Sequence, residues 1–420
     1  MRKAALHNLG CKVNSYETEA MTQLLKKAGY EIVSFQDQAD VYIINTCSVT
    51  NMADRKSRQM LHKAKKQNPN AVVVATGCYV QTATEKVAQD LSIDLVVGNN
   101  RKKDIVEILN EYYAEKEAGE QVKEEYVIDI NHTDEYDKVT EHTRAYIKIQ
   151  DGCNNFCSYC IIPYARGRIR SRTMESIKAE LERLSASGFK EIVLTGINLS
   201  CYDDNGKKLI DVIEMADNVN GIERIRLGSL DPEVVTEDFV ERLGKVKKIC
   251  PHFHFSLQSG CDKTLKAMSR HYTSDEYYEK CQLIRKYIDN PAFTTDVIVG
   301  FPGETEEDYI SSREFVKKVK FAELHVFKYS KRDGTVAAKM PNQIDEKIKT
   351  LRSEDLIKTG EELTKEFRQA KIGQDTTVLF EEKILLDNKE YWVGHTVDYI
   401  KIAVPEKENL EGQIRKVNVK

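Results

Sequence analysis

The stretch "RAYIKIQDGCNNFCSYC", residues 144–160, decides how the fold is read: an apolar, strand-like run delivers Cys153, Cys157 and Cys160 within eight positions. The spacing Cys-x3-Cys-x2-Cys supplies three thiolates, enough for three irons of a four-iron four-sulfur cluster, and leaves the fourth iron without a protein ligand. An open metal position suits a reactive centre, whereas structural sites close their coordination. A zinc ion completed by a distant histidine or cysteine is the alternative.

Further strand-like runs follow this one: "EIVLTGINLS", "ERIRLGSLDP", "HFHFSLQSG", "TTDVIVGFPGE" and "ELHVFKYSKR". Helical segments such as "MESIKAELERLSASG" and "TEEDYISSREFVKKVK" separate them. Six β/α units in about 190 residues predict a partial (β/α)6 barrel rather than an eight-unit one. The polar or glycine-containing ends of the strands would then face the active site.

On the N-terminal side, "KAALHNLG", "VYIINT", "AVVVATG" and "LVVG" alternate with helical patterns, which predicts a parallel-sheet α/β domain. Three of these strands run directly into a cysteine, at Cys11, Cys47 and Cys78. Carboxyl ends of parallel strands are where ligands bind, so the three are expected to converge although 36 and 31 residues separate them. Buried, unreactive thiols are the alternative. Cys201, Cys250, Cys261 and Cys281 follow no such pattern and read as structural.

Residues 101–142 read as a helix and an acidic, polar connection. The long amphipathic helix that begins near "DEKIKTLRSEDL" precedes about 50 residues of short β-like runs. The expected domains are 1–140, 141–366 and 367–420, the last a small all-β domain.

Composition is that of a soluble chain, with 41% hydrophobic and 31% charged residues. No run reaches the roughly 18 apolar residues of a membrane helix, and no signal-peptide core is present, so a cytoplasmic protein is expected. Ten cysteines in such a chain imply thiols, thiolates or metal ligands rather than disulfides. A net charge of −4 does not advertise a nucleic-acid partner, so binding of that kind must rest on local patches. Two are visible. One is the helical "DRKSRQMLHKAKK", with Arg55, Lys56, Arg58, Lys63, Lys65 and Lys66. The other is "RGRIRSR", with Arg166, Arg168, Arg170 and Arg172, expected to meet phosphates beside the active site.

Taken in order, "NLGCKVNSYETE", "INTCSVTNMADRKSRQ", "ATGCYVQ", "QDGCNNFCSYCIIPYARGRIRSR", "VLTGIN", "DVIVGFPGET" and "HVFKYSKRDGT" resemble the radical S-adenosylmethionine methylthiotransferases across nearly the whole chain. "LGCKVN" and "LTGIN" look like the branch that converts N6-threonylcarbamoyladenosine, beside the tRNA anticodon, to its 2-methylthio form. Sister branches act on isopentenyladenosine in tRNA or on an aspartate of a ribosomal protein. The resemblance implies two 4Fe-4S clusters, an auxiliary one on Cys11, Cys47 and Cys78 and a radical one on Cys153, Cys157 and Cys160. It implies S-adenosyl-L-methionine as radical source and methyl donor, and a C-terminal TRAM-like domain that binds RNA. A tRNA substrate, a reduced flavodoxin- or ferredoxin-type electron donor and a sulfur source complete the expected partners. Tyr159, Gly196, Asn198, Ser229, Gln258 and Asp296 are the expected S-adenosylmethionine contacts, with turn formation or barrel-core hydrogen bonding as the alternative for the last five. "GFPGE" at 300–304 resembles a motif that shapes the adenine pocket, and its glycines and proline would also explain it as a turn. A non-catalytic iron-sulfur protein that binds RNA is the reading from another class.

Overall fold

The computed structural model describes residues 1–117, 143–405 and 408–420; the expected polar connection and the boundary at 140 lie outside them. The chain forms two compact units. One comprises Met1–Val139, Lys148–Ser176 and Ser330–Ala338; the other comprises Thr140–Ile147, Ile177–Tyr329 and Lys339–Lys420. Among the described residues, no helix is long and apolar enough to cross a membrane.

The first unit is built on a parallel sheet of β1 (Lys3–Asn8), β2 (Glu31–Ile32), β3 (Val41–Thr46), β4 (Val72–Gly77) and β5 (Leu95–Val97). Its continuous apolar runs follow from burial on both faces. Val41 and Ile43 pack with Met21 and Leu25, which belong to helix α1 (Lys12–Lys27). Tyr42 and Ile44 point the other way, onto Leu61 and Ala64 of helix α2 (Asn51–Gln67). The strand order is β2-β1-β3-β4-β5. In this order the direction of winding reverses between β1 and β3, which opens a crevice at their carboxyl ends, the usual ligand position of such sheets. Cys11 and Cys47 stand at those two ends. Cys78 opens the short helix α3 (Cys78–Thr82) after β4.

The six expected barrel strands are Arg144–Lys148, whose last residue belongs to the first unit, and, within the second unit, Glu191–Thr195, Arg224–Leu227, His252–Phe255, Ala292–Val299 and Glu323–Lys328. The hydrogen-bonded array divides after the third strand, where Gly228 separates Arg224–Leu227 from the two-residue strand Ser229–Leu230. Helix Glu346–Gln369 packs on the last strand, Gly360 lying against Leu324. "GFPGE" is a turn with a structural glutamate. Glu304 accepts from Gly300 N at 2.7 Å and pairs with Arg352 of the long helix at 2.7 Å, so its carboxylate is engaged there.

The tail forms an antiparallel sheet of Asp375–Leu386, Lys389–Thr396, Lys401–Val404 and Ile414–Asn418 around Val378, Phe380 and Trp392. It docks on the N-terminal ends of the barrel strands. Arg226 donates to the Thr396 and Val397 carbonyls at 3.1 Å, and Arg224 donates to His395 O at 3.1 Å. Glu191, fully buried, pairs with Arg226 at 2.8 Å and with Arg224 at 3.3 Å. Burial raises the Glu191 carboxyl, but the arginines, Arg226 first, more than offset it and hold the group below its usual range. That contribution is complete above the ordinary carboxylate range near 4.3 and is lost as pH falls through the depressed value. Glu191→Gln leaves buried arginines without their counter-ion and is expected to cost about 3–5 kcal/mol. Urea unfolding should show a constant difference between the two proteins from pH 7 down to the ordinary carboxylate range, shrinking only at more acid pH as the wild-type carboxylate protonates.

Candidate functional site

Both cysteine triplets belong to the first unit. Around Cys11, Cys47 and Cys78 the local sequence is dedicated to bringing strand ends together. Gly10 has φ +109°, and a Cβ there would lie 2.9 Å from both Cβ and Sγ of Cys47, so the loop that carries Cys11 closes onto Cys47 only with glycine. Asn14 staples the same two strand ends, donating to Leu9 O at 2.7 Å and Thr46 O at 3.0 Å. Ser57 brackets Cys47, accepting from its N at 3.2 Å and donating to its carbonyl at 3.1 Å. Cys11 is exposed, while Cys47 and Cys78 are buried.

The three thiols feel one another. Burial pushes Cys47 up to about 11, the backbone N–H of Val49 opposes it, and the Cys78 and Cys11 sulfurs add to the rise. Burial also raises Cys78, against the charges of Arg166 and then Lys102. Thiols in this state keep their protons until a metal displaces them.

The loop of the second triplet leaves the short strand Gln150–Asp151, which pairs with Arg170–Ser171. Gly152, at φ +72°, lies so near the returning chain that a Cβ would sit 1.9 Å from Arg168 O. Cys153 N donates to Gly167 O at 3.1 Å, and Cys160 N donates to Cys157 O at 2.9 Å, which closes a tight turn. Phe156 packs edge-on to Tyr164 at 5.9 Å with Arg168 over its ring at 4.6 Å. Cys157 is buried, and Cys153, Cys160 and Tyr159 are half-buried.

Between the triplets runs a buried ion network with no counterpart in the sequence expectations. Arg166 pairs with Glu17 at 2.8 Å and Asp151 at 3.1 Å, and donates to Asn14 Oδ1 at 2.6 Å. Lys148 joins Glu17 at 3.1 Å and Asp151 at 3.3 Å; Lys102 pairs with Glu17 and donates to Asn45 at 3.1 Å. Burial alone would raise Glu17, but Arg166, Lys102 and Lys148 hold it well below the usual carboxylate range.

"RGRIRSR" is therefore not the phosphate-binding surface its charge suggested. Arg166 and Arg172 are buried, the latter donating to Lys148 O at 3.1 Å and Ser176 Oγ at 2.7 Å. Arg170 turns to the Arg166 and Arg168 carbonyls, both at 2.9 Å, and Arg168 is the exposed member. In the first basic patch Arg55, Lys56, Lys63 and Lys66 stay exposed, whereas Lys65 is held by Asp94 at 2.8 Å. Arg332 was not foreseen. It donates to Ser48 Oγ and Asp54 at 2.7 Å and to Asn51 at 2.8 Å, clamping the chain just past Cys47.

The remaining expected positions stand in the second unit. Asn198 is buried at the start of a 3-10 turn after its strand, Gly196 is half-buried and Ser229 is exposed. Gln258, at φ +71°, bridges to the neighbouring strand through Asp296 O and Ile298 N, both at 2.9 Å. Asp296 lies mid-strand rather than at a strand end, its Oδ1 3.6 Å from His254 Nε2, and pairs in register with His325.

A partial barrel whose first strand leads into a three-cysteine loop is the framework of a radical S-adenosylmethionine enzyme. Residues 147–316 match the model of the radical SAM superfamily, and residues 3–98 match that of uncharacterized protein family UPF0004. Two proteins named threonylcarbamoyladenosine tRNA methylthiotransferase MtaB are similar over their length. The one from Bacillus subtilis strain 168 is 41% identical over 100% of this chain and 94% of its own. The one from Aquifex aeolicus strain VF5 is 40% identical over 92% and 95%. A tRNA-2-methylthio-N(6)-dimethylallyladenosine synthase from Pelotomaculum thermopropionicum is 34% identical over 91% and 87%. The radical S-adenosylmethionine methyltransferase TsrM from Kitasatospora setae shares the fold, with TM-score 0.59 and 16% identity over 78% of this chain and 73% of that one. The chain belongs to the radical S-adenosylmethionine methylthiotransferases, which carry two iron-sulfur clusters and use S-adenosylmethionine.

The residues present fit those clusters. Each triplet offers three thiols and no fourth protein ligand in its motif, as a site-differentiated four-iron cluster needs. The buried cations facing Cys78 suit a thiolate bound to metal.

Proposed function

We propose that this enzyme methylthiolates carbon 2 of N6-threonylcarbamoyladenosine next to the anticodon of tRNA. The observation that carries the reading is the pairing of two open cysteine triplets in one unit with similarity to proteins of that name over the full chain. In this reading Cys153, Cys157 and Cys160 hold the radical cluster, and Cys11, Cys47 and Cys78 hold the auxiliary one. Bound there, the clusters supply one-electron cleavage of S-adenosylmethionine and a sulfur to be methylated and transferred.

The protein's own part is to place and shield. The glycine-tight loops at Gly10 and Gly152 fix where the thiols point, and burial of Cys47, Cys78 and Cys157 keeps water from them. Tyr159 in the first unit and Gly196, Asn198, Ser229, Gln258 and Asp296 in the second remain the S-adenosylmethionine contacts of this reading. Arg55, Lys56, Lys63 and Lys66, exposed on α2, and the C-terminal sheet would meet the RNA backbone. A reduced flavodoxin- or ferredoxin-type protein would deliver electrons, and a separate source would restore sulfur.

The test is anaerobic reconstitution followed by assay on tRNA that carries threonylcarbamoyladenosine or isopentenyladenosine, with nucleosides read by mass spectrometry. The 2-methylthio product should form on the first. Product on isopentenyladenosine alone, or S-adenosylmethionine cleavage without any tRNA product, would overturn the assignment.

A further inference from the structure

We propose that Arg166 is a positioning residue for the auxiliary centre, holding a buried positive charge against the cluster on Cys78 while its backbone neighbour ties down the loop of the radical triplet. The inference rests on the reading that Cys11, Cys47 and Cys78 bind a cluster.

Three observations carry it. The first is connectivity. Arg166 ends the helix Ile162–Arg166, six residues after Cys160, and the next carbonyl, that of Gly167, accepts from Cys153 N at 3.1 Å. Its side chain is 1% exposed, and its helix packs against α3, the helix that Cys78 opens on the other triplet. One short helix thus meets one cysteine loop through the backbone and the other through packing.

The second is charge. Among the described residues, Lys102, Lys148 and Arg166 surround the buried carboxylates of Glu17 and Asp151. Arg170 adds further positive charge 3.7 Å from Asp151. Buried ions persist only when compensated, and a metal-bound Cys78 thiolate would bring a further negative charge to these cations.

The third is a spare donor. Both terminal nitrogens of Arg166 are engaged by Glu17, Asp151 and Asn14, while its Nε is buried without a hydrogen-bond partner among the described residues. Buried donors are rarely left so. A cluster's sulfur is an acceptor of the right kind, and hydrogen bonds to cluster sulfurs and nearby charge both set reduction potential.

The sign follows. A cation favours the more negative, reduced cluster, so removing Arg166 makes reduction harder, and removing the anion Glu17 makes it easier. The experiment uses the full chain with Cys153, Cys157 and Cys160 all changed to Ala, so that only the auxiliary centre takes iron. Iron and sulfide are counted, and the midpoint is read by redox titration followed by electron paramagnetic resonance. On this background Arg166→Gln is expected to lower the one-electron reduction equilibrium at least about tenfold, a shift of about 59 mV. Arg166→Lys should recover most of it, and Glu17→Gln should move the midpoint the opposite way. If the background protein binds no cluster, the assignment of Cys11, Cys47 and Cys78 fails instead. If it binds about four irons and the midpoint is unmoved in Arg166→Gln, the inference is overturned. Should Arg166→Gln not load iron, Glu17→Gln decides, and an unchanged or lowered midpoint there overturns the inference equally.

Discussion

Alanine in place of Cys153, Cys157 or Cys160 is expected to abolish formation of 5′-deoxyadenosine and of methylthiolated nucleoside together. Loss of an outer partner of a metal ligand costs about 10–100-fold, and loss of a ligand should exceed that. The loop offers no substitute: Cys157 is buried, and Cys153 is held through its own N–H to Gly167. Anaerobic assay of 5′-deoxyadenosine by liquid chromatography measures the effect directly. Retained cleavage in a Cys157→Ala protein would remove these residues from the radical centre.

Cys78→Ala should divide the two activities. S-adenosylmethionine cleavage is expected to stay within about threefold of wild type, while methylthiolation falls by more than the same 10–100-fold range. Iron should drop by about half, since one of two four-iron clusters loses a ligand. The division follows from position, because Cys78 heads α3 on the N-terminal sheet, whereas the turn from Cys157 to Cys160 is closed by its own backbone hydrogen bond. Normal product from the Cys78→Ala enzyme would end the two-centre account.

Much of this architecture was legible before any coordinates, for physical reasons. Strands buried on both faces are continuous apolar runs, and a cysteine immediately after such a run must lie at a sheet's carboxyl edge. What was not legible depended on distant partners. The two-residue strand Glu31–Ile32 is too short for a periodic signal, yet it is what makes β1 internal and places the crevice between β1 and β3. "RGRIRSR" looks solvated because arginine usually is, and its counter-ion Glu17 lies 149 positions away. Glu17 itself passes for an ordinary helix-surface acid, since nothing local marks it as buried. Asp296, expected as an S-adenosylmethionine contact, stands mid-strand because the strand runs on to Val299. Misreading a buried ion as a surface one is the characteristic error where a site is held together by charge.

Arg332 carries a consequence for biosynthesis. The side chain that clamps the loop after Cys47 lies 281 residues beyond its partner Asn51, in the last of the three chain segments that make up the first unit. At about 5–20 residues per second, a ribosome that has released the Cys47 loop needs on the order of tens of seconds to deliver the clamp. Until then the Cys47 loop has only its local ties, to Asn14 and Ser57, and lacks the Arg332 clamp. The fastening of the Cys47 loop is thus among the last parts of the first unit to be made, delivered only after the barrel strands that precede Arg332 in the chain.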